Sequence, residues 1–221
     1  DNESIMSIKN QISIISNEIK GKAELIAVSK TRNVNEIFEA YNAGQKKFGE
    51  NRVNEIVDKF NRLPNDIEWH MIGHLQKNKV KYISEFISLI HSLDRLSLAN
   101  EIDKNAKKHN RSIDCLIQIK ISKDETKYGL NPNEIDSFYS NLKEFKNINI
   151  VGLMAMASFT DNQKIIDNEF KDMFNLFEKM KHIDANFKIL SIGMSDDYAL
   201  GIKNGSNMIR VGSKIFGKRN Y

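Results

Sequence analysis

Glu24-Leu25-Ile26-Ala27-Val28-Ser29-Lys30-Thr31-Arg32-Asn33 is the stretch that decides the fold. It reads as a short buried strand running straight into a polar turn. An open doubly wound sheet normally places a glycine-rich phosphate turn after its first strand. Ser29-Lys30-Thr31-Arg32-Asn33 contains no glycine, which counts against a dinucleotide fold.

Outward from this strand the same pattern repeats. Candidate strands are Glu24–Ser29, Lys46–Gly49, Ile67–Ile72, Leu89–Ser92, Ile113–Ile121, Ile148–Met154, Lys188–Gly193 and Asn207–Val211, each rich in Ile, Val, Leu or Phe. Segments with apolar residues at helical spacing separate them. Ile37, Tyr41 and Gly44 line one, Leu96, Ala99, Ile102 and Ala106 another, and Phe170, Phe174 and Phe177 the longest. An additional helix, Ser4–Lys20, precedes the first strand, with Ile5, Ile8, Ile12, Ile15 and Ile19 on one stripe. Eight strands alternating with helices predict a closed (β/α)8 TIM barrel, with the open sheet as the rival. There are only two prolines, no Ser/Gly-rich linker and no composition break, so residues 1–221 are expected to form one domain.

Composition narrows the function. The net charge is only +4, and lysines and arginines are interleaved with acids, as in Glu36–Lys47, which argues against nucleic acid as the main ligand. No apolar run is long enough to cross a bilayer. The lone cysteine, Cys115, excludes an intrachain disulfide and fits a reducing, cytoplasmic setting. It sits in a strand and reads as core. His70 and His74 lie four apart, but on a strand and loop that spacing gives no shared face, and no metal site is expected.

Barrel enzymes build their sites from loops at the C-terminal ends of the strands. Those positions here carry Lys30, Glu50, Asn51, His74, Asp94, Arg95, Met156, Ser158, Met194, Ser195, Asp196, Arg210, Gly212 and Ser213. The loops after strands seven and eight often hold phosphate in such barrels. Ser195 and Ser213 offer hydroxyl donors there, and Gly212 lets the backbone approach closely. Asp196 and Asp197 read as the start of the next helix. Across the barrel, Lys30 is the candidate nucleophile, because burial favours the neutral amine that attacks an aldehyde. A phosphorylated aldehyde suits this pairing.

The runs Ala27-Val28-Ser29-Lys30-Thr31, Phe48-Gly49-Glu50-Asn51, Trp69 to Lys79, Gly152-Leu153-Met154-Ala155-Met156, Ser191 to Asp197 and Arg210 to Gly217 together resemble the pyridoxal phosphate homeostasis protein family. That family is similar to the N-terminal barrel of alanine racemase, and the resemblance spans nearly the whole chain. It implies pyridoxal 5′-phosphate (PLP) held as a Schiff base on Lys30 and Arg210 facing the pyridine nitrogen. It also implies phosphate on Ser195, Gly212 and Ser213, Asn51 and His74 lining the pocket, and Met156 near the ring face. A cation beside the pyridine nitrogen disfavours its protonation and makes the ring a poorer electron sink. Racemases compensate with a second base, a tyrosine from a C-terminal β domain that also builds their dimer. The sequence runs only to Tyr221, so that domain is not expected, and the tyrosine racemases place four residues after the lysine is Val34. The resemblance therefore implies a monomeric, non-catalytic PLP carrier in PLP homeostasis that can pass its cargo to PLP-dependent apo-enzymes. Two alternatives stand beside it: a low-activity amino-acid racemase, and a barrel lyase in which Lys30 attacks a sugar phosphate directly.

Overall fold

A computed structural model describes residues 7–125 and 128–218. Eight parallel strands close into a barrel in sequence order: β1 (Glu24–Val28), β2 (Lys47–Glu50), β3 (Glu68–Met71), β4 (Leu89–Leu93), β5 (Ile113–Gln118), β6 (Ile148–Met154), β7 (Ile189–Ser191) and β8 (Met208–Val211). Closure comes from β1 against β8, in register from Glu24↔Met208 to Ala27↔Val211. The helices are α1 (Ile8–Ile19), α2 (Val34–Asn42), α3 (Val53–Arg62), α4 (Leu96–Lys108), α5 (Ile135–Leu142), α6 (Gln163–Ile183), α7 (Tyr198–Lys203) and α8 (Ser213–Phe216).

The apolar strand runs are buried on both faces, as all-parallel sheets require. Inside the barrel, Ile26, Leu89, Leu116, Met154 and Met208 pack together. Outside it, Ala27, Phe48, Trp69, Ile90 and Ile117 meet the helices. The additional helix forms as α1, burying Ile12, Ile15 and Ile19, with Ser7 as its N-cap accepting the Asn10 N–H. Ser4 and Ile5 of the expected helix lie outside the described residues. Asn33 and Glu36 make a capping box that starts α2 directly after the first turn.

Several expectations need correction. The segment between β3 and β4 is a 3-10 helix, Lys77–Tyr82. Val80 and Ile83, both fully buried, sit three apart, the repeat that three residues per turn places on one face. The fifth strand stops at Gln118 instead of Ile121; just beyond it Ile119 makes only an isolated parallel bridge, to Leu130. Gly44 lies beyond α2, in a turn where its N–H donates to the Tyr41 carbonyl. Leu96 and Phe174 are exposed edges of their helices, whereas Ala99, Ile102, Ala106, Phe170 and Phe177 are buried as expected. At the β6–β7 pairing Gly152 is obligatory: a Cβ there would fall 1.8 Å from the Ile189 carbonyl oxygen.

Candidate functional site

The C-terminal ends of β1, β6, β7 and β8 enclose a cleft of about 930 Å³. Lys30, Met156, Ser195, Arg210, Gly212 and Ser213 all line it. Six of the eight predicted residues, scattered over most of the chain, therefore meet on one surface.

Arg210 forms the floor. It points inward from β8 and is only 2% exposed. Its Nη2 donates to the Ala155 carbonyl at 2.9 Å, while Nε has no hydrogen-bond partner. Burial pulls its pKa down to about 10, opposed by the charge of Asp197, so it stays cationic at neutral pH. Beneath it the barrel interior carries a polar chain. His70 Nδ1 lies 2.9 Å from His91 Nε2, and His91 Nδ1 lies 3.1 Å from Ser191 Oγ. Burial drives His70 down to about 3, and drives His91 well below its usual range with help from His70 and Arg210. Both imidazoles are thus neutral, and the floor presents an undiluted guanidinium. An orphaned Nε on a buried cation suits a ligand that brings a lone pair or negative charge.

The rim after β7 and β8 brings hydroxyl and backbone donors together. Ser195 Oγ accepts from the Gly212 N–H at 3.3 Å and, at a long 3.5 Å, from the Lys214 N–H. With its lone pairs engaged, the hydroxyl keeps its O–H to donate outward. A Cβ on Gly212 would lie 3.2 Å from the Val28 carbonyl, so only glycine brings the two backbones together without a shift. Asp197 stands at the N-cap position of α7 but makes no side-chain capping bond; its Oδ1 instead accepts the Met194 N–H at 2.7 Å and closes the β7 loop. The residues present thus fit a phosphorylated ligand.

Lys30 is half-buried and stands at the second position of a tight turn in which the Arg32 N–H donates to the Ser29 carbonyl at 3.0 Å. Thr31, at the third position, has φ = 65°, a left-handed conformation unusual for a β-branched residue. Side chains from β2 and α3 grip this turn. Lys59 Nζ donates to the Ser29 carbonyl (2.8 Å), to Glu50 Oε1 (2.5 Å) and to Glu55 Oε2 (3.0 Å). Ser29 Oγ donates to Glu50 Oε1 at 2.7 Å, and the Thr31 N–H donates to Glu55 Oε2 at 2.8 Å. Burial raises Glu50 to about 7 against the pull of Lys59. Glu55 stays below the usual carboxylate range: its bonds from the Thr31 N–H and Lys59 outweigh its own burial, which pushes the other way.

Asn51 and His74 are not in this cleft. They line a neighbouring pocket of about 260 Å³ with Arg52, Met71 and Lys79, because their loops follow β2 and β3 on a different arc of the rim. His74 stacks on Tyr128 with ring centroids 3.8 Å apart, and its Nδ1 has no partner. Burial first, then the charge of Arg95, lowers its pKa, with Asp94 opposing. Cys115 is buried, as expected for core.

Sequence reasoning missed Lys59 and His91. Glu55 and Lys59 read as an ordinary i,i+4 surface pair, and only the burial of Lys59 distinguishes it. His91 had a usable signal: a polar residue inside the apolar run Leu89–Leu93.

A parallel barrel with this cleft is the architecture of the alanine racemase N-terminal domain, whose family model matches residues 4–220. The pyridoxal phosphate homeostasis protein of Haemophilus influenzae is 36% identical over 231 residues, covering 98% of this chain and 98% of its own. PipY of Synechococcus elongatus, solved without PLP and with PLP bound, superposes with TM-scores of 0.91 and 0.89 at 32% identity, covering 96% of this chain and 100% of that one. The chain belongs to the pyridoxal phosphate homeostasis protein family.

Proposed function

We propose that this protein binds PLP in the cleft above Arg210, serves PLP homeostasis as a carrier and catalyses no reaction of its own. Lys30 holds the cargo as a reversible Schiff base. Ser195, Gly212 and Ser213 take the phosphate, Arg210 faces the pyridine nitrogen, and Met156 lies beside the ring. Asn51 and His74 flank the site from the neighbouring pocket. Residues 1–221 act as one PLP-binding unit, a monomer working in the cytoplasm, with PLP-dependent apo-enzymes as recipients. Among the described residues no helix is long and apolar enough to cross a membrane.

The observation that carries this reading is the convergence of a lysine, a buried partner-seeking arginine and a serine-glycine rim on one cleft. The solved PLP complex of PipY supports it. When bound, PLP supplies an electrophilic aldehyde and an electron-accepting ring. The guanidinium on the ring nitrogen disfavours its protonation and weakens that electron sink, which suits holding over turnover.

The test is an absorption spectrum of purified protein, followed by borohydride reduction and peptide mapping. A yellow protein whose reduced adduct maps to Lys30 is expected, with Lys30→Ala unlabelled. A protein that stays colourless and unlabelled after incubation with PLP refutes the reading. Inversion of D- or L-alanine above the free-cofactor rate, lost in Lys30→Ala, would favour a racemase instead.

A further inference from the structure

The turn that presents Lys30 is strained where it stands, and strain of this kind persists only where surrounding contacts over-determine it. At Thr31 the surroundings are specific. One end of the turn is held at the Ser29 carbonyl by Lys59, and the other at the Thr31 N–H by Glu55. Both holding groups come from α3 and are locked to one another, and Glu50, fully buried, locks Lys59 and the Ser29 side chain from β2. Lys30 lies between the two held points. We infer that Glu50, Glu55 and Lys59 are positioning residues: a buried clamp that imposes the left-handed turn at Thr31 and so aims the Lys30 amine at the ligand carbonyl. This rests on the reading of Lys30 as the PLP-binding residue.

The covalent step explains why aim matters. The neutral Lys30 amine adds to the aldehyde carbon and one nitrogen proton passes to the oxygen; the second nitrogen proton then joins that hydroxyl, which leaves as water as the C–O bond breaks and the C=N bond forms. Its rate depends on a near-attack geometry, and small misplacements of a reacting group cost orders of magnitude. Among the described residues Glu50, Glu55 and Lys59 make no hydrogen bond to the loops after β7 and β8 that carry the phosphate contacts. Clamp and phosphate site are therefore separable. A purely structural ion cluster would change stability and leave capture of the aldehyde alone.

The experiment compares PLP with pyridoxine 5′-phosphate, which keeps ring and phosphate but carries a hydroxymethyl group in place of the aldehyde. Stopped-flow absorbance follows covalent capture of PLP, and a fluorescence titration follows binding of the analogue. Glu55→Ala, with its side chain only one-quarter exposed but at the cluster's outer edge, is expected to slow capture about 10–100-fold and to leave analogue affinity within about twofold. Glu55→Gln retains an acceptor for the Thr31 N–H and is expected to keep most of the rate. Thr31→Gly, which adopts positive φ freely, is expected to recover much of the rate in the Glu55→Ala background. Unchanged capture in Glu55→Ala, a parallel loss of analogue binding, or no recovery with Thr31→Gly would overturn the clamp. A thermal melt of each variant shows that it is folded; should Glu55→Ala not be, Glu55→Asp, one methylene too short to hold the Thr31 N–H, carries the test, with slowed capture expected and an unchanged rate overturning the clamp. Failure of the underlying reading is seen separately, as wild-type protein that gives no borohydride-stable label on Lys30.

Discussion

Lys59→Met removes the ammonium at the centre of the buried cluster while keeping an unbranched apolar stem of similar length. Lys59 is 5% exposed and donates three hydrogen bonds, and its partner Glu50 is 0% exposed. Breaking a buried ion pair from one side costs about 3–5 kcal/mol, because the remaining charge has neither water nor counter-ion. For a chain of this size that lowers Tm by roughly 6–20 °C near neutral pH. The pH dependence identifies the stranded group. Glu50 already titrates near 7 when folded against about 4.5 when unfolded, with burial raising it and Lys59 lowering it. Removing Lys59 deletes a lowering influence, so the folded value moves higher still. Between the unfolded and folded values the native state binds a proton that the unfolded state lacks, so stability rises as pH falls through that window, by up to about 1.4 kcal/mol per pH unit. The deficit of Lys59→Met relative to wild type is therefore expected to be largest near pH 8 and to shrink towards pH 5. Adding Glu50→Gln is expected to recover stability at pH 8. The assay is urea denaturation of wild type, both single variants and the double variant at pH 5 and pH 8. An equal deficit at the two pH values, or no recovery in the double variant, would refute the stranded carboxylate.

Gly152→Ala drives a methyl into the Ile189 carbonyl at the β6–β7 pairing and is expected to cost more than about 3 kcal/mol, or to prevent soluble expression; stability equal to wild type in urea would contradict the register. Ser195→Ala and Ser213→Ala each remove a hydroxyl donor to phosphate and are expected to weaken PLP affinity about tenfold, read by fluorescence titration. Unchanged affinity in both would move the phosphate elsewhere. Cys115 is fully buried, and burial raises its thiol pKa, so a disulfide reagent at pH 8 is expected to label it only after denaturation. Rapid labelling of the native protein would show that β5 is not packed as described.

What the sequence made legible follows from how information is laid along a parallel barrel. Each buried strand is a contiguous apolar run, so all eight could be placed, and each strand's end fixes a loop on the functional rim. Lys30, Ser195, Arg210 and Gly212 could be placed at the cleft for that reason: their positions depend on where a strand stops, which is a local property. Which rim residues share one cavity depends instead on the order of strands around a closed circle. Asn51 and His74 stand on the correct rim but follow β2 and β3, and so face a different pocket from the loops of β6, β7 and β8. The clamp was hidden more deeply. Glu55 and Lys59 obey the rule for an exposed helical pair, and nothing local says that α3 turns Lys59 inward to the end of β1, thirty residues back. Thr31 was hidden too, since a β-branched residue argues against positive φ and only long-range contacts can hold it there. Local pattern therefore located Lys30 at the end of its strand, whereas the contacts that hold its turn are long-range, and that division is why Glu55 and Lys59 emerged only from the folded chain.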